Sequence, residues 1–374
     1  MKQVLVFTML MILAAGCGDQ ADQQKNGSSL SLSSLMSGEE DSLYMRAFPG
    51  GEFTFPADHG PHPGYKTEWW YFTGNLVSDE GREFGYQFTI FRTAVSPHVT
   101  RSGGWLTNNI YMGHFALTDI SGEKFYYFER FSRDGNNLAG AQASPLKVWL
   151  EDWNIEERSY IPAMNFPQVQ LSAAGGDVSI NLSLDPVKPL VLQGDRGYSR
   201  KGDDPGNASF YYSLPRLRSE GKIYIRDESF TVKGSSWLDR EWSTSALSED
   251  QQGWDWFSLQ FDDGSEMMYY QLRKKDGTAD RWSKGLFIYP DGTTRLLKKE
   301  DVNLTVTEFW ENDEGDRYPS GWKLEVPSEK LSLEIVPAVK DQELKVTVRY
   351  WEGAVRITGT KSGKGYAELT GYSK

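Results

Sequence analysis

Two carboxylates and a pair of histidines are the side chains through which this sequence could do chemistry. Asp239 and Glu241 stand two residues apart in GSSWLDREW, residues 234–242. In an extended chain, alternate residues share a face. The two acids would then point one way and Arg240 the other. Carboxylates held close together in apolar surroundings compete for one proton. One of them would stay protonated near neutral pH and act as a general acid. The structural alternative is that Asp239 or Glu241 pairs with Arg92 or Arg273 and ties two parts of the chain together. His59 and His62 lie in DHGPHPGYKTEWWYF, residues 58–72. With Glu68 they could approach a metal ion, but zinc wants three or four ligands in tetrahedral geometry. The sequence has no HExxH, no glycine-rich phosphate loop of the usual spacing and no GxSxG. No metal and no cofactor is therefore expected. The four histidines, His59, His62, His98 and His114, read either as hydrogen-bond partners that orient a loop at a pocket mouth or, for at least one, as a catalytic or ligand-orienting group.

The elements that would position these groups read as strands. Trp69, Trp70, Tyr71 and Phe72 are consecutive, so on a strand they divide between its two faces. One face would pack a barrel and the other would meet a partner domain or line a cavity. Phe84, Tyr86, Phe88 and Ile90 share one face of the next strand by the same period. Turns are signalled at Asp79-Glu80-Gly81 and Ser121-Gly122, and no long helical stripe interrupts the pattern. The pattern then starts again. DREWSTS repeats a Glu-Trp pair, a turn falls at Asp262-Asp263-Gly264, and Tyr270-Gln271-Leu272-Arg273 follows, as Tyr86-Gln87 and Phe91-Arg92 follow Glu68-Trp69. This repetition predicts two related antiparallel units, residues 44–236 and 237–374, with the seam near residue 236. Closed barrels are favoured because closure removes exposed strand edges. A pair of β-sandwiches is the alternative.

The amino end, MKQVLVFTMLMILAAGC, has one lysine before an apolar run too short for a comfortable membrane span. Ala14-Ala15-Gly16-Cys17 resembles a bacterial lipoprotein signal. Residues 1–17 are read as that signal, with Cys17 as the lipidated residue, and residues 18–43 as a flexible tether. Cys17 is the single cysteine, so no internal disulfide can form. The expected location is the cell envelope, at the periplasmic face of the outer membrane in a Gram-negative host. The net charge of −12 opposes non-specific nucleic-acid binding. Aromatic residues make up 14% of the chain, including 13 tryptophans, enough to fill wide cores or to line pockets for apolar ligands.

Taken together, DHGPHPGYKTEWWYFTGNL, FGYQFTIFR, GHFALTD, ASFYYSLPRL, VKGSSWLDREW, GWDWFSLQ, MMYYQLR, YWEGAV and GKGYAELTGY resemble the AttH/CrtC-like lipocalin-like family, relatives of carotenoid 1,2-hydratase often described as secreted hydrolases. The resemblance runs from about Phe53 to Tyr372. It implies an all-β chain of two tandem lipocalin-like antiparallel β-barrels packed against each other, with a site near their junction and an apolar or amphipathic small ligand. In the hydratases an aspartate in the segment after the inter-barrel strand is implicated as the acid, and Asp239 falls in that segment here. The surrounding WLDREW differs from the hydratases, in which the aspartate tends to precede His or Ser and then Asn. The resemblance thus implies Asp239, Glu241 and His59 as catalytic candidates. His62, Glu68, Trp69, Trp70, Tyr71, Tyr86, Arg92, His114, Tyr212, Trp237 and Trp254 are the candidate ligand contacts. Three kinds of function fit: an envelope enzyme with hydratase- or hydrolase-type chemistry on a lipid or isoprenoid, a lipid-binding or transfer protein, or an accessory subunit of an export system.

Overall fold

A computed structural model describes residues 43–97, 107–244 and 247–373. The expected signal segment, Cys17, the tether through residue 42 and His98 lie outside the described residues. The first sheet contains β1 (Thr67–Ser78), β2 (Glu83–Ala94), β3 (Asn109–Asp119), β4 (Lys124–Arg133), β5 (Ala139–Ala143), β6 (Leu146–Leu150), β7 (Trp153–Ile161), β8 (Phe166–Gly175), β9 (Val178–Pro186), β10 (Val191–Leu192), β11 (Tyr198–Arg200), β12 (Ala208–Ile225) and β13 (Glu228–Ser243). The second contains β14 (Gln251–Phe261), β15 (Glu266–Lys274), β16 (Lys284–Ile288), β17 (Thr294–Lys298), β18 (Asn303–Glu311), β19 (Arg317–Val326), β20 (Leu331–Pro337), β21 (Glu343–Leu344), β22 (Tyr350–Gly359) and β23 (Gly363–Thr370).

Every strand pair described is antiparallel. The first sheet runs β4-β3-β2-β1-β13-β12-β9-β8-β7-β6-β5 and is nearly closed into a barrel; the second runs β17-β16-β15-β14-β23-β22-β20-β19-β18 and curls into a half-barrel. The shared order explains the sequence repetition, since β4-β3-β2-β1 followed by the closing strand β13 matches β17-β16-β15-β14 followed by β23. The match corrects one detail. Glu241-Trp242 does not begin the second unit; it belongs to β13, which pairs with β12 from end to end, with one register shift, and with β1 from Val232 to Ser243. The residue expected at the seam, 236, lies in the middle of that strand, and the chain passes to the second sheet only after Ser243. The counterpart of β1 is β14. In each sheet a buried acid on the first strand meets an arginine near the end of the next: Glu68 with Arg92, and Asp255 with Arg273 at 3.0 Å.

Strand alternation divides the aromatics as expected. Trp70, Phe72 and Leu76 of β1 and Phe84, Tyr86, Phe88 and Ile90 of β2 point into the first barrel, which they fill with their neighbours. Phe257, Leu259, Phe261, Trp322 and Trp351 fill the second. Residues of the opposite faces, from β1, β12 and β13 of the first sheet and β14, β15 and β23 of the second, form a third apolar layer where the sheets face each other, including Tyr71, Tyr211, Trp237, Trp256, Tyr270 and Tyr366. Burying side chains of this size contributes roughly 1.5–3 kcal/mol each, so the interface is a core in its own right. The backbones come close there: a Cβ at Gly85 would lie 2.7 Å from the Cβ of Ala354 and 2.9 Å from the Tyr366 hydroxyl.

Candidate active site

The two outward faces enclose a narrow, largely apolar cavity of about 80 Å³. Trp69, Tyr71, Tyr211, Asp239 and Glu241 line it from the first sheet; Trp254, Trp256, Tyr270, Tyr350 and Glu368 line it from the second. The strand registers make this set. Tyr71 lies opposite Asp239 and Trp69 opposite Glu241 on β1 and β13, and Ser213 and Tyr211 flank the same two acids from β12. Arg240, between the acids, points the other way, its guanidinium 4.0 Å from the centre of the Trp70 ring inside the barrel.

Asp239 is buried, 3% exposed, and burial pushes its carboxyl up to about 7 even though three donors favour its ionised form. Trp237 Nε1 donates to Oδ1 at 2.7 Å, Ser213 Oγ donates to the same oxygen, and the Tyr211 hydroxyl donates to Oδ2. A carboxyl offers about four lone-pair positions. Three are taken here, which leaves one on Oδ2 for a proton. Tyr211 is fixed in turn by Trp256 Nε1 at 3.2 Å. Glu241 has different company: Lys201 Nζ lies 3.1 Å from its Oε1, and Ser209 Oγ also donates to it. Burial works against the Lys201 ammonium, but the Glu241 charge prevails and holds its pKa above the usual lysine value.

Two further acids come from the second sheet. Glu368 accepts from Trp254 Nε1 at 3.0 Å. Burial, together with the charges of Asp239 and Glu241, pushes it up to about 8. Glu352 lies directly opposite Glu368 on β22, where two like charges would repel. Burial, then Glu368, drives Glu352 well above the carboxylate range, while Tyr71 donates to its Oε1 at 2.6 Å. Its Oε2 has no partner. The cavity thus joins one raised carboxyl from each sheet, Asp239 and Glu368, with Glu241 paired to Lys201 and aromatic walls, while Glu352 stands beside Glu368 on the neighbouring strand.

Of the residues expected at a site, the structure brings Asp239, Glu241, Trp69, Tyr71 and Trp254 onto the cavity, with Trp237 directly behind Asp239. It places the others elsewhere. His59 Nε2 bonds the Asn165 carbonyl at 2.8 Å and Nδ1 bonds the Tyr212 hydroxyl at 2.7 Å. Burial, with Arg240 nearby, lowers His59 to about 4, so it is a neutral spacer inside the first barrel. Tyr86 bonds Ser236 Oγ at 2.6 Å in that same core, beside Trp70. Glu68 lies between Arg92 and Arg240, and His62 Nδ1 is 3.2 Å from it. His62 also stacks on Trp242 with ring centres 3.8 Å apart. His114 stands behind the wall, with Nδ1 2.8 Å from the Tyr350 hydroxyl. The alternative pairing of Asp239 or Glu241 with Arg92 or Arg273 does not occur. Those arginines serve Glu68 and Asp255, and Lys201 serves Glu241. Sequence reading missed Lys201, Tyr211, Trp256, Tyr350, Glu352 and Glu368. For Glu352 and Glu368 a signal existed, since each is the lone acid of its strand and stands among apolar neighbours, Trp351 and Ala354 or Tyr366, Ala367 and Leu369. Among the described residues, no cluster of three His, Cys, Asp or Glu could hold a metal ion.

The fold and the site can be set beside known proteins. A search of curated protein sequences finds no match. A protein of Nitrosomonas europaea, described as an AttH in its crystal structure, is 34% identical, with 88% of this chain and 100% of that one aligned at a TM-score of 0.78. Kievitone hydratase from Nectria haematococca shares the fold at 16% identity, with 86% of this chain and 93% of that one covered and a TM-score of 0.65. The model of the AttH-like family matches residues 46–372, and the chain belongs to that family.

Proposed function

We propose that the inter-sheet cavity is the active site of an enzyme that adds water to a carbon–carbon double bond of an apolar small molecule, or removes it, with Asp239 as the proton donor. The observation that carries this reading is a buried carboxyl pushed up to about 7, aimed into an aromatic cavity and held there by Tyr211, Ser213 and Trp237. An acid that titrates near neutrality both holds and releases its proton. In hydration, Asp239 gives its proton to one alkene carbon and the other carbon becomes cationic. The faces of Trp69, Trp254 and Trp256 offer that cation negative potential. Water then adds to the cation, and the proton it loses goes to the Asp239 carboxylate or to Glu241, which Lys201 and Ser209 hold in place. Hydration asks for a proton donor and a shielded cation site, which the cavity lining offers, whereas hydrolysis asks for an oxyanion site, so hydration is favoured over hydrolysis. The shared fold of a hydratase supports the same choice.

The same reading carries the envelope location: Ala14-Ala15-Gly16-Cys17 supports acylation at Cys17, which would hold the cavity near membrane-dissolved substrates. Loss of metabolic palmitate labelling in Cys17→Ser tests the anchor. The reaction is tested by mass spectrometry of the purified protein after incubation with a total lipid and isoprenoid extract. The expected product is heavier than its substrate by one water, and Asp239→Asn abolishes it. A ligand retained unchanged by both proteins would make this a binding or transfer protein instead. Two smaller products would make it a hydrolase.

A further inference from the structure

A second pocket adjoins the cavity along the chain and differs from it in chemistry. Its lining includes Arg200, Arg281, Trp282, Lys284, Lys298 and one acid, Glu300, and its volume is about 400 Å³. This gathers four cations in a chain whose net charge is −12. The arrangement is costly as it stands. Lys284 and Lys298 are direct partners across β16 and β17, and like charges opposite each other destabilise a sheet. The Arg200 guanidinium lies 4.0 Å from the centre of the Trp282 ring, and Lys284 Nζ lies 5.6 Å from the same ring.

The anions within reach do not settle this charge. Asp203 pairs with Arg281 and accepts from Trp282 Nε1 at 2.7 Å. Arg200 gives two of its five N–H donors to carbonyls, Gly202 at 2.8 Å and Asp203 at 2.7 Å, and Lys284 donates to the Arg200 carbonyl at 2.7 Å. Among the described residues no carboxylate stands within ion-pair distance of Arg200, Lys284 or Lys298. Burial, followed by the charges of Lys201 and Arg200, lowers the Lys284 ammonium to about 7, the direction expected where a counter-ion is lacking. The pocket also shares a face with the cavity, because Tyr270, Lys284 and Lys298 are successive partners across β15, β16 and β17 and Tyr270 lines the cavity.

We propose that this pocket is a phosphate-binding site, with Lys284, Lys298 and Arg200 as its cationic ligands and Trp282 as its floor. Guanidinium and ammonium groups lining one pocket suit a compact, multiply charged oxyanion. The phosphate is either free or the head of a single-chain amphiphile whose apolar part reaches toward the aromatic cavity. The site requires no turnover and stands whether or not the cavity is catalytic.

Calorimetric titration of the full-length protein with inorganic phosphate and with dodecyl phosphate tests the proposal, with dodecyl maltoside as the uncharged control. Each lost charge-assisted hydrogen bond should weaken binding about tenfold or more, so Lys298→Ala and Lys284→Met should each show that loss, while Lys323→Ala on β19 should not. Lys298 is exposed, so its variant reports even if Lys284→Met folds poorly. Dodecyl phosphate binding at least tenfold tighter than inorganic phosphate assigns an amphiphile head; equal affinities assign a free phosphate. Binding of neither, or binding that Lys298→Ala leaves unchanged, overturns the proposal.

Discussion

Glu68 and Asp239 lie on adjacent paired strands, both buried, and their surroundings drive them in opposite directions. Glu68 faces into the first barrel, where burial alone would raise its pKa. The Arg240 and Arg92 guanidiniums, helped by His62, outweigh that and hold it far below the usual carboxylate range. Asp239 faces the cavity, and its partners are hydroxyls and an indole rather than cations, so burial prevails and the proton stays. What separates a structural acid from a chemical one here is the charge of its partners, not the depth of its burial. The largest effect should therefore come from breaking the compensated acid. In Glu68→Ala two buried guanidiniums lose their counter-charge, a change that typically costs about 3–5 kcal/mol, read as a lower denaturant midpoint. Asp239→Asn should do the reverse. It keeps the shape and removes no charge pair, so stability should stay within about 1 kcal/mol, while turnover falls roughly 10²–10⁴-fold, as for other general acids.

The same contrast predicts how stability depends on pH. Asp239 and Glu368 have folded-state values of about 7 and about 8, raised from 3.8 and 4.5. Between those limits the folded protein binds more protons than the unfolded chain, so stability falls as pH rises. Their contribution is fully present below the unfolded values and is gone once pH passes the folded ones. Glu68 has the opposite sign: its contribution is present above its unfolded value and is lost only as pH falls toward its depressed folded value, so across neutrality it adds no slope. Urea midpoints between about pH 5 and pH 8 should decline for the unmodified protein. They should decline less in Asp239→Asn and least in the double variant with Glu368→Gln. An unchanged slope in the double variant would mean that neither acid keeps its proton in the fold.

Much of this contrast was legible in the sequence, and the gaps have physical causes. The two-residue period divided Trp69 to Phe72 between two faces, but only the structure shows that Trp70 and Phe72 fill the barrel while Trp69 and Tyr71 line the cavity. The period also turned Asp239 and Glu241 away from Arg240. The repetition of strands showed two units, but the Glu-Trp pair at 241–242 misled. It repeats Glu68-Trp69 in letters only, because β13 closes the first sheet. Gly234-Ser235-Ser236 reads like a break in a strand. In the fold it is strand interior, where a Cβ at Gly234 would lie 2.1 Å from the Asn75 carbonyl oxygen. Histidines drew attention to themselves by being few, yet His59 and His62 are consumed by the first barrel. Lys201, Tyr211 and Glu368 are brought to the cavity, and Glu352 to the strand beside it, by strand order and register, which local spacing does not encode. Their separation along the chain hid them.

The smallest effect expected concerns Tyr350, which shares features of both regions. It lines the cavity, as Asp239 does, but its hydroxyl lies 2.8 Å from His114 Nδ1, and His114 Nε2 lies 3.1 Å from Glu129 Oε1. Glu129 is half-buried. Burial works to raise its carboxyl, but the hydrogen bonds from His114 and Thr347 prevail and hold it below the usual range. An ionised Glu129 assigns the proton on Nε2, so Nδ1 accepts from Tyr350. The chain therefore joins β3 of the first sheet to β22 of the second through a hydroxyl that is already donating away from the cavity. Burial, with Glu352 and Glu368 close by, pushes the Tyr350 phenol well above its usual value, so it is a poor acid for the cavity. Tyr350→Phe should cost about 1–3 kcal/mol through the unpaired His114 nitrogen and should leave kcat within about threefold, less than one tenfold step in barrier. A fall in kcat as large as that of Asp239→Asn, with stability unchanged, would make Tyr350 the proton donor. The partner-charge rule that separates Glu68 from Asp239 would then fail to locate the acid.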